Sequence, residues 1–167
     1  MKNTESIYLV TWVTHNSRVS DRMVTFLPPE FIKGLKPLVL SLADQKFMVE
    51  AIGDCIIKYD IKCLVFNVLP DHVHMVLFSK DEDGLADMVR KIKGYTSHLF
   101  RKKRTFENRV WARKFNRVFI EDDGHLANVI NYAKLNHIKH EKSWGRANLV
   151  GFTDVLSTTI DEVCVKL

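Results

Sequence analysis

Two strand-like runs, residues 61–69 and 72–78, are separated by nothing more than Pro70-Asp71. The first reads Ile-Lys-Cys-Leu-Val-Phe-Asn-Val-Leu and the second His-Val-His-Met-Val-Leu-Phe, the β-branched and aromatic composition of buried strands. A parallel crossover needs a dozen or more residues, so so short a link predicts an antiparallel hairpin. The hairpin is the fixed point around which the rest of the chain has to be arranged.

On either side of it the periodicity changes. Residues 6–14, Ser-Ile-Tyr-Leu-Val-Thr-Trp-Val-Thr, suit a first strand, with Tyr8 and Trp12 facing the core. A basic stretch with Arg18 and Arg22 and the break Leu27-Pro28-Pro29 follow. Leu38, Leu42, Val49, Ile52 and Ile56 recur at helical spacing and predict a helix over about 36–58. Leu85, Met88, Val89, Ile92, Leu99 and Phe100 predict a second over 85–103, with a basic face. Residues 111–121 alternate basic and aromatic and read as a fourth strand. Asp122-Asp123-Gly124 opens a third helix to about 141, with acidic residues suited to its first turn. On that helix Leu126, Val129, Ile130 and Ala133 are expected to face the core. The order β-α-β-β-α-β plus a helix predicts an α+β, ferredoxin-like split βαβ fold, an antiparallel sheet with two helices on one face.

The 167 residues fit one domain, with residues 146–167 a tail that the periodicity does not assign. With 46% hydrophobic and 27% charged residues the chain is not of the disordered class. It has no apolar run of the roughly 18 residues that span a bilayer, and its polar start lacks a signal-peptide apolar segment. Three scattered cysteines form neither a disulfide framework nor a Cys-x-x-Cys zinc site. A soluble cytoplasmic protein with no membrane partner is expected. Net charge is only +5, yet residues 90–117 hold eleven basic side chains against one acidic, Glu107. Such a block marks a polyanion partner or, more blandly, a solvated helix face balanced from elsewhere.

Chemistry concentrates in Asp71-His72-Val73-His74. Strand residues two apart share a face, so His72 and His74 form a two-imidazole claw for a divalent metal, or else an inert polar pair. Asp71 should point the other way, as a turn residue. Tyr132 and Asn136, one turn apart, fall on the helix side opposite Leu126, Val129, Ile130 and Ala133, where Asn136 can offer a carbonyl oxygen as third ligand and Tyr132 a phenol. His140, eight residues past Tyr132, is a further ligand candidate or a surface residue. Tyr95, on the basic second helix, competes with Tyr132 as a nucleophile.

The segment Leu69-Pro70-Asp71-His72-Val73-His74-Met75-Val76-Leu77 resembles the His-hydrophobic-His strand of the HUH single-strand DNA nucleases, and more narrowly of the REP-associated tyrosine transposases and IS200-like relatives. Val110-Trp111-Ala112-Arg113-Lys114-Phe115 is similar to that family's Trp-and-basic strand. Residues 130–140, Ile-Asn-Tyr-Ala-Lys-Leu-Asn-His-Ile-Lys-His, resemble its tyrosine helix. Ala133 stands where the family often has Ile, and His137 where it usually has Pro, which should let the helix run on by about a turn. The resemblance implies Tyr132 as nucleophile, with Tyr95 left as a helix-face residue, and Mg²⁺ or Mn²⁺ on His72, His74 and Asn136. It implies cleavage and rejoining of single-stranded DNA at hairpin-flanked sites through a 5′-phosphotyrosine. Arg18, Lys91, Lys93, Arg101, Lys102, Arg113, Lys114 and Arg117 would hold the DNA, and a homodimer is the expected assembly. The competing readings are a non-catalytic single-stranded nucleic-acid-binding module on the same scaffold, with aromatics on its central strands, and a water-using metal nuclease with carboxylates beside the histidines.

Overall fold

A computed structural model of the chain describes residues 5–17, 36–105 and 107–145. Among them the elements run β1 (Ser6–Val13), α1 (Leu42–Lys58), β2 (Cys63–Val68), β3 (His72–Ser79), α2 (Glu82–Arg104), β4 (Asn116–Ile120) and α3 (Asp123–Trp144). The strands make one antiparallel sheet in the order β2-β3-β1-β4. The expected ferredoxin-like split βαβ fold is the one found. Its hairpin closes where the Leu69 N–H donates to the His72 carbonyl at 2.8 Å, around Pro70-Asp71.

Strand parity divides the interior in two. Tyr8, Val10 and Trp12 of β1 and Val73, Met75 and Leu77 of β3 join Met48, Ile52, Leu85, Val89 and Ile92 of α1 and α2 in the larger core. The opposite parity, Ile7 and Leu9 of β1 with Val76 of β3, packs with Leu126, Val129, Ile130 and Ala133 of α3. A register shift between Cys63 and Val65 lets β2 serve both, with Phe66 and Val68 in the first core and Val65 in the second. Helices α1 and α2 therefore share one face, and α3 covers the other.

Two boundaries differ from the sequence expectation. The first helix begins at Leu42, not Lys36, because Ser41 and Asp44 form a reciprocal capping box. The preceding residues are instead tied down by backbone bonds, Leu38 N–H to His15 O at 3.0 Å and Leu40 N–H to Pro70 O at 2.7 Å. The fourth strand begins at Asn116, not Trp111. Trp111 makes only an isolated bridge to Thr14, and the next carbonyls are drawn off by the Lys93 ammonium, which donates to Ala112 O at 2.6 Å, Arg113 O at 3.0 Å and Lys114 O at 3.4 Å. Helix α3 is capped by Asp122, which accepts from the His125 N–H at 2.7 Å. It continues past His137 to Trp144.

Candidate active site

His72 and His74 lie on the β3 parity that faces α3. Both are buried, 2% and 6% exposed, and their rings meet edge to face at 4.8 Å. Each ring is steered through Nδ1: His72 by the Asp71 carboxylate at 2.5 Å, His74 by the Thr11 hydroxyl at 2.8 Å. Thr11 is the direct cross-strand partner of His74, so sheet register sets this bond. With Nδ1 engaged in both, Nε2 is the nitrogen each ring can turn toward a cation.

Helix α3 supplies the rest. The Asn67 amide on β2 donates to the Ala133 carbonyl at 3.0 Å and pins the helix over the histidines. Tyr132 then lies edge-on to His74 with ring centroids 5.4 Å apart, and it is 38% exposed. Lys139 places its ammonium 5.3 Å from the same phenol ring. One turn on from Tyr132, Asn136 is 1% exposed, and neither Oδ1 nor Nδ2 has a hydrogen-bond partner among the described residues. Its placement corrects the expected polar-face position. Asn136 follows Val129 and Ala133 along the stripe turned to the sheet, and only Tyr132 stays at the rim. His140 continues that stripe, its ring 5.0 Å from His72, rather than sitting on the surface. Asp71 is likewise more than a turn residue, since it orients His72.

Two imidazoles and an amide oxygen fit a small divalent cation that accepts mixed nitrogen and oxygen donors. A buried amide left unpaired costs about 1–3 kcal/mol, which such an ion would offset. Among the described residues no three His, Cys, Asp or Glu side chains gather as a metal cluster, so Asn136 and groups from outside the chain would have to complete the set.

Other expected residues lie elsewhere. Tyr95 is on α2, across the sheet from the histidines, edge-to-face with Tyr59 at 6.2 Å and with the Lys58 ammonium 5.2 Å from its ring. The Lys93 ammonium donates to backbone carbonyls, and burial lowers its pKa to about 8. Arg117 pairs with Glu82 at 2.5 Å, while Lys91, Arg101, Lys102, Arg113 and Lys114 are exposed. Arg18 lies outside the described residues. Thr11 and Asn67 escaped the sequence reading, because a lone Thr or Asn carries no spacing signal and matters only through its cross-strand or cross-helix neighbour; Lys139 lies within the segment that resembles the tyrosine helix, with no role of its own assigned there.

Fold and site together define a class: a ferredoxin-like sheet that presents a His-x-His strand to a tyrosine-bearing helix on the face away from its two core helices. The chain belongs to the IS200-like transposase family, whose family model matches residues 36–136. It is 29% identical over 92 residues to a REP-associated tyrosine transposase of Haemophilus influenzae, a match covering 49% of this chain and 52% of that protein. The chain thus aligns with about half the length of that curated relative. A solved structure of a REP-associated tyrosine transposase bound to a REP hairpin shares the fold, with TM-score 0.53 and 16% identity over 81% of this chain and 68% of that one.

Proposed function

We propose that this protein cuts and rejoins single-stranded DNA by transesterification through Tyr132. The observation that carries the reading is a part-exposed phenol set 5.4 Å from a buried, doubly steered histidine pair, on the helix that also delivers the orphaned amide of Asn136. His72, His74 and Asn136 would hold Mg²⁺ or Mn²⁺, which supplies Lewis-acid neutralisation of the scissile phosphate and of the departing oxygen. The two imidazoles favour Mn²⁺ over harder ions.

The Tyr132 oxygen forms the new bond to phosphorus as the bond to the 3′-oxygen breaks, giving a 5′-phosphotyrosine and a free 3′-hydroxyl. The phenol gives up its proton to solvent and the departing oxygen takes one up. The linkage keeps the phosphodiester energy, so the 3′-hydroxyl of another strand reverses the step without ATP. Asp71 and Thr11 hold the imidazoles in place, and the Lys139 ammonium, 5.3 Å from the Tyr132 ring, would attract a phosphate brought to the phenol.

The exposed basic residues of α2 and the 113–117 segment lie on the far side of the sheet from Tyr132. We assign them to a part of the DNA other than the scissile phosphate, such as a hairpin, with affinity that falls as salt rises. The hairpin in the fold neighbour supports this reading. The binding-module alternative needs aromatics on an open sheet face. Here Tyr8 and Trp12 are buried in the α1–α2 core and α3 covers the other face. The water-using nuclease needs spare carboxylates, and Asp71 is bonded to His72.

The test is incubation with Mn²⁺ and a labelled single-stranded hairpin oligonucleotide from DNA flanking the gene, read on a denaturing gel. A covalent adduct that survives boiling and vanishes in Tyr132→Phe is expected. An adduct that persists in Tyr132→Phe and vanishes in Tyr95→Phe, retardation without any adduct, or cleavage without adduct would each overturn the assignment.

A further inference from the structure

We infer that Thr14 and Ser17, where β1 ends, are positioning residues: they fix Asp71 and, through its carboxylate, the ring of His72. On the reading of His72 as a metal ligand, from which this follows, the two hydroxyls help to set cation affinity. Thr14 follows Tyr8, Val10 and Trp12 on the β1 parity that faces the α1–α2 core, and it is fully buried. A hydroxyl kept at a core position has to be hydrogen-bonded. This one lies between two carbonyls, 2.6 Å from Leu38 O and 3.3 Å from Asp71 O. The Thr14 N–H donates to the same Asp71 carbonyl at 2.8 Å.

The chain then reverses at once. Asn16 takes φ 61°, the left-handed region that asparagine tolerates, and the Ser17 N–H reaches the Thr14 carbonyl at 3.3 Å. The turn brings the Ser17 hydroxyl to 3.0 Å from Thr14 O and 3.4 Å from Asp71 O. Across the hairpin, the Leu40 N–H donates to the Pro70 carbonyl at 2.7 Å, and the Leu40 carbonyl accepts from Gln45 Nε2 at 3.1 Å.

Both carbonyls of a two-residue hairpin turn are thus engaged by groups from outside the hairpin. The hairpin closes without them through its own Leu69-to-His72 bond, and turn carbonyls at a surface can be left to water. What the extra bonds fix is the one turn residue with a task. Asp71 Oδ1 lies 2.5 Å from His72 Nδ1, and the Asp71 side chain is 20% exposed, so packing alone does not hold it. A carboxylate that accepts from Nδ1–H sets the ring tautomer and turns Nε2 to the cation. A shift of the Asp71 backbone therefore reaches that nitrogen directly.

The experiment titrates metal-free full-length protein with MnCl₂ by calorimetry. Thr14→Val, which removes the hydroxyl and keeps the shape, is expected to weaken Mn²⁺ binding about five- to tenfold. Thr14→Ser is expected to stay within about twofold of wild type. In an Asp71→Asn background Thr14→Val is expected to add less than about twofold, because the carboxylate it acts through is already gone. A Thr14→Val affinity equal to wild type, or a loss of the same size in both backgrounds, overturns the proposal. If Thr14→Val does not fold, Ser17→Ala, at a half-buried position, decides the same comparison with a smaller expected loss. Imidazole ¹H–¹⁵N spectra of the metal-free protein separate the positioning from the metal reading. Thr14→Val is expected to shift the His72 Nδ1–H signal in the direction that Asp71→Asn shifts it. If wild type binds no Mn²⁺ and that shift is present, the metal reading fails and the positioning of His72 stands; an unmoved signal rejects the positioning whatever the metal does.

Discussion

At the scale of single residues, the site is made of side chains that would be poor choices for stability alone. Asn136 is buried with both amide atoms lacking partners among the described residues, a cost of about 1–3 kcal/mol. Asn136→Leu is therefore expected to raise the Tm of the metal-free protein and to abolish the Mn²⁺-induced Tm shift; a Mn²⁺ shift that survives contradicts the ligand assignment. Asp71→Asn removes the carboxylate that steers His72, and Mn²⁺ affinity measured by calorimetry is expected to fall about 10–100-fold. Lys93 gives a pH signature. Burial lowers it from the ordinary 10.5 to about 8, while an unfolded lysine keeps its proton to about 10.4. Between those limits the unfolded chain binds more protons than the folded one, so this group makes stability rise with pH from about 8 to 10.5. Lys93→Met is expected to flatten that part of a Tm-against-pH profile, and an unaltered slope would refute the buried charge. His72 and His74 were legible because strand parity is a local rule. The roles of Asp71 and His140 were not, since each depends on a contact across a turn or across the sheet.

At the scale of elements, the order of strands and helices was readable because each element carries its own period and the two-residue hairpin forbids most rearrangements. Where boundaries moved, a long-range or capping bond outbid local propensity: the Ser41–Asp44 box for α1, the Lys93 ammonium for β4. The face of α3 was misjudged for a different reason. Its apolar stripe ends at Ala133, and the sheet beneath the next turns is itself polar, so Asn136 and His140 look solvent-facing in the sequence although they turn inward. The seat of α3 over the histidines depends on the Asn67-to-Ala133 bond at 3.0 Å. Asn67→Ala should cost about 1 kcal/mol, a Tm loss of about 2–4 °C for a chain of this size, with less adduct formed per bound DNA. Unchanged adduct yield would show that α3 is held by the apolar contacts alone.

For the whole molecule, the sheet acts as a partition. One face carries the histidines and the tyrosine helix. The other carries α1 and α2 and the exposed arginines and lysines. No helix among the described residues is long and apolar enough to cross a membrane. A strand of DNA engaged on both faces has to pass around an edge of the sheet, and β4 is the edge nearer the basic segment, with Val118 and Phe119 48% and 50% exposed along it. The sequence predicts two helices on one face of the sheet but not that α3 takes the other, and in it the basic block begins 16 residues after His74 and looks like its neighbour. The most direct test of the account is to trap the protein on a single-stranded hairpin substrate with Mn²⁺, digest the covalent complex and sequence the nucleotide-bearing peptide by mass spectrometry. The account predicts a 5′-phosphate ester on Tyr132 within the α3 peptide; a modified Tyr95, any other residue, or substrate cut with no peptide attached would contradict it.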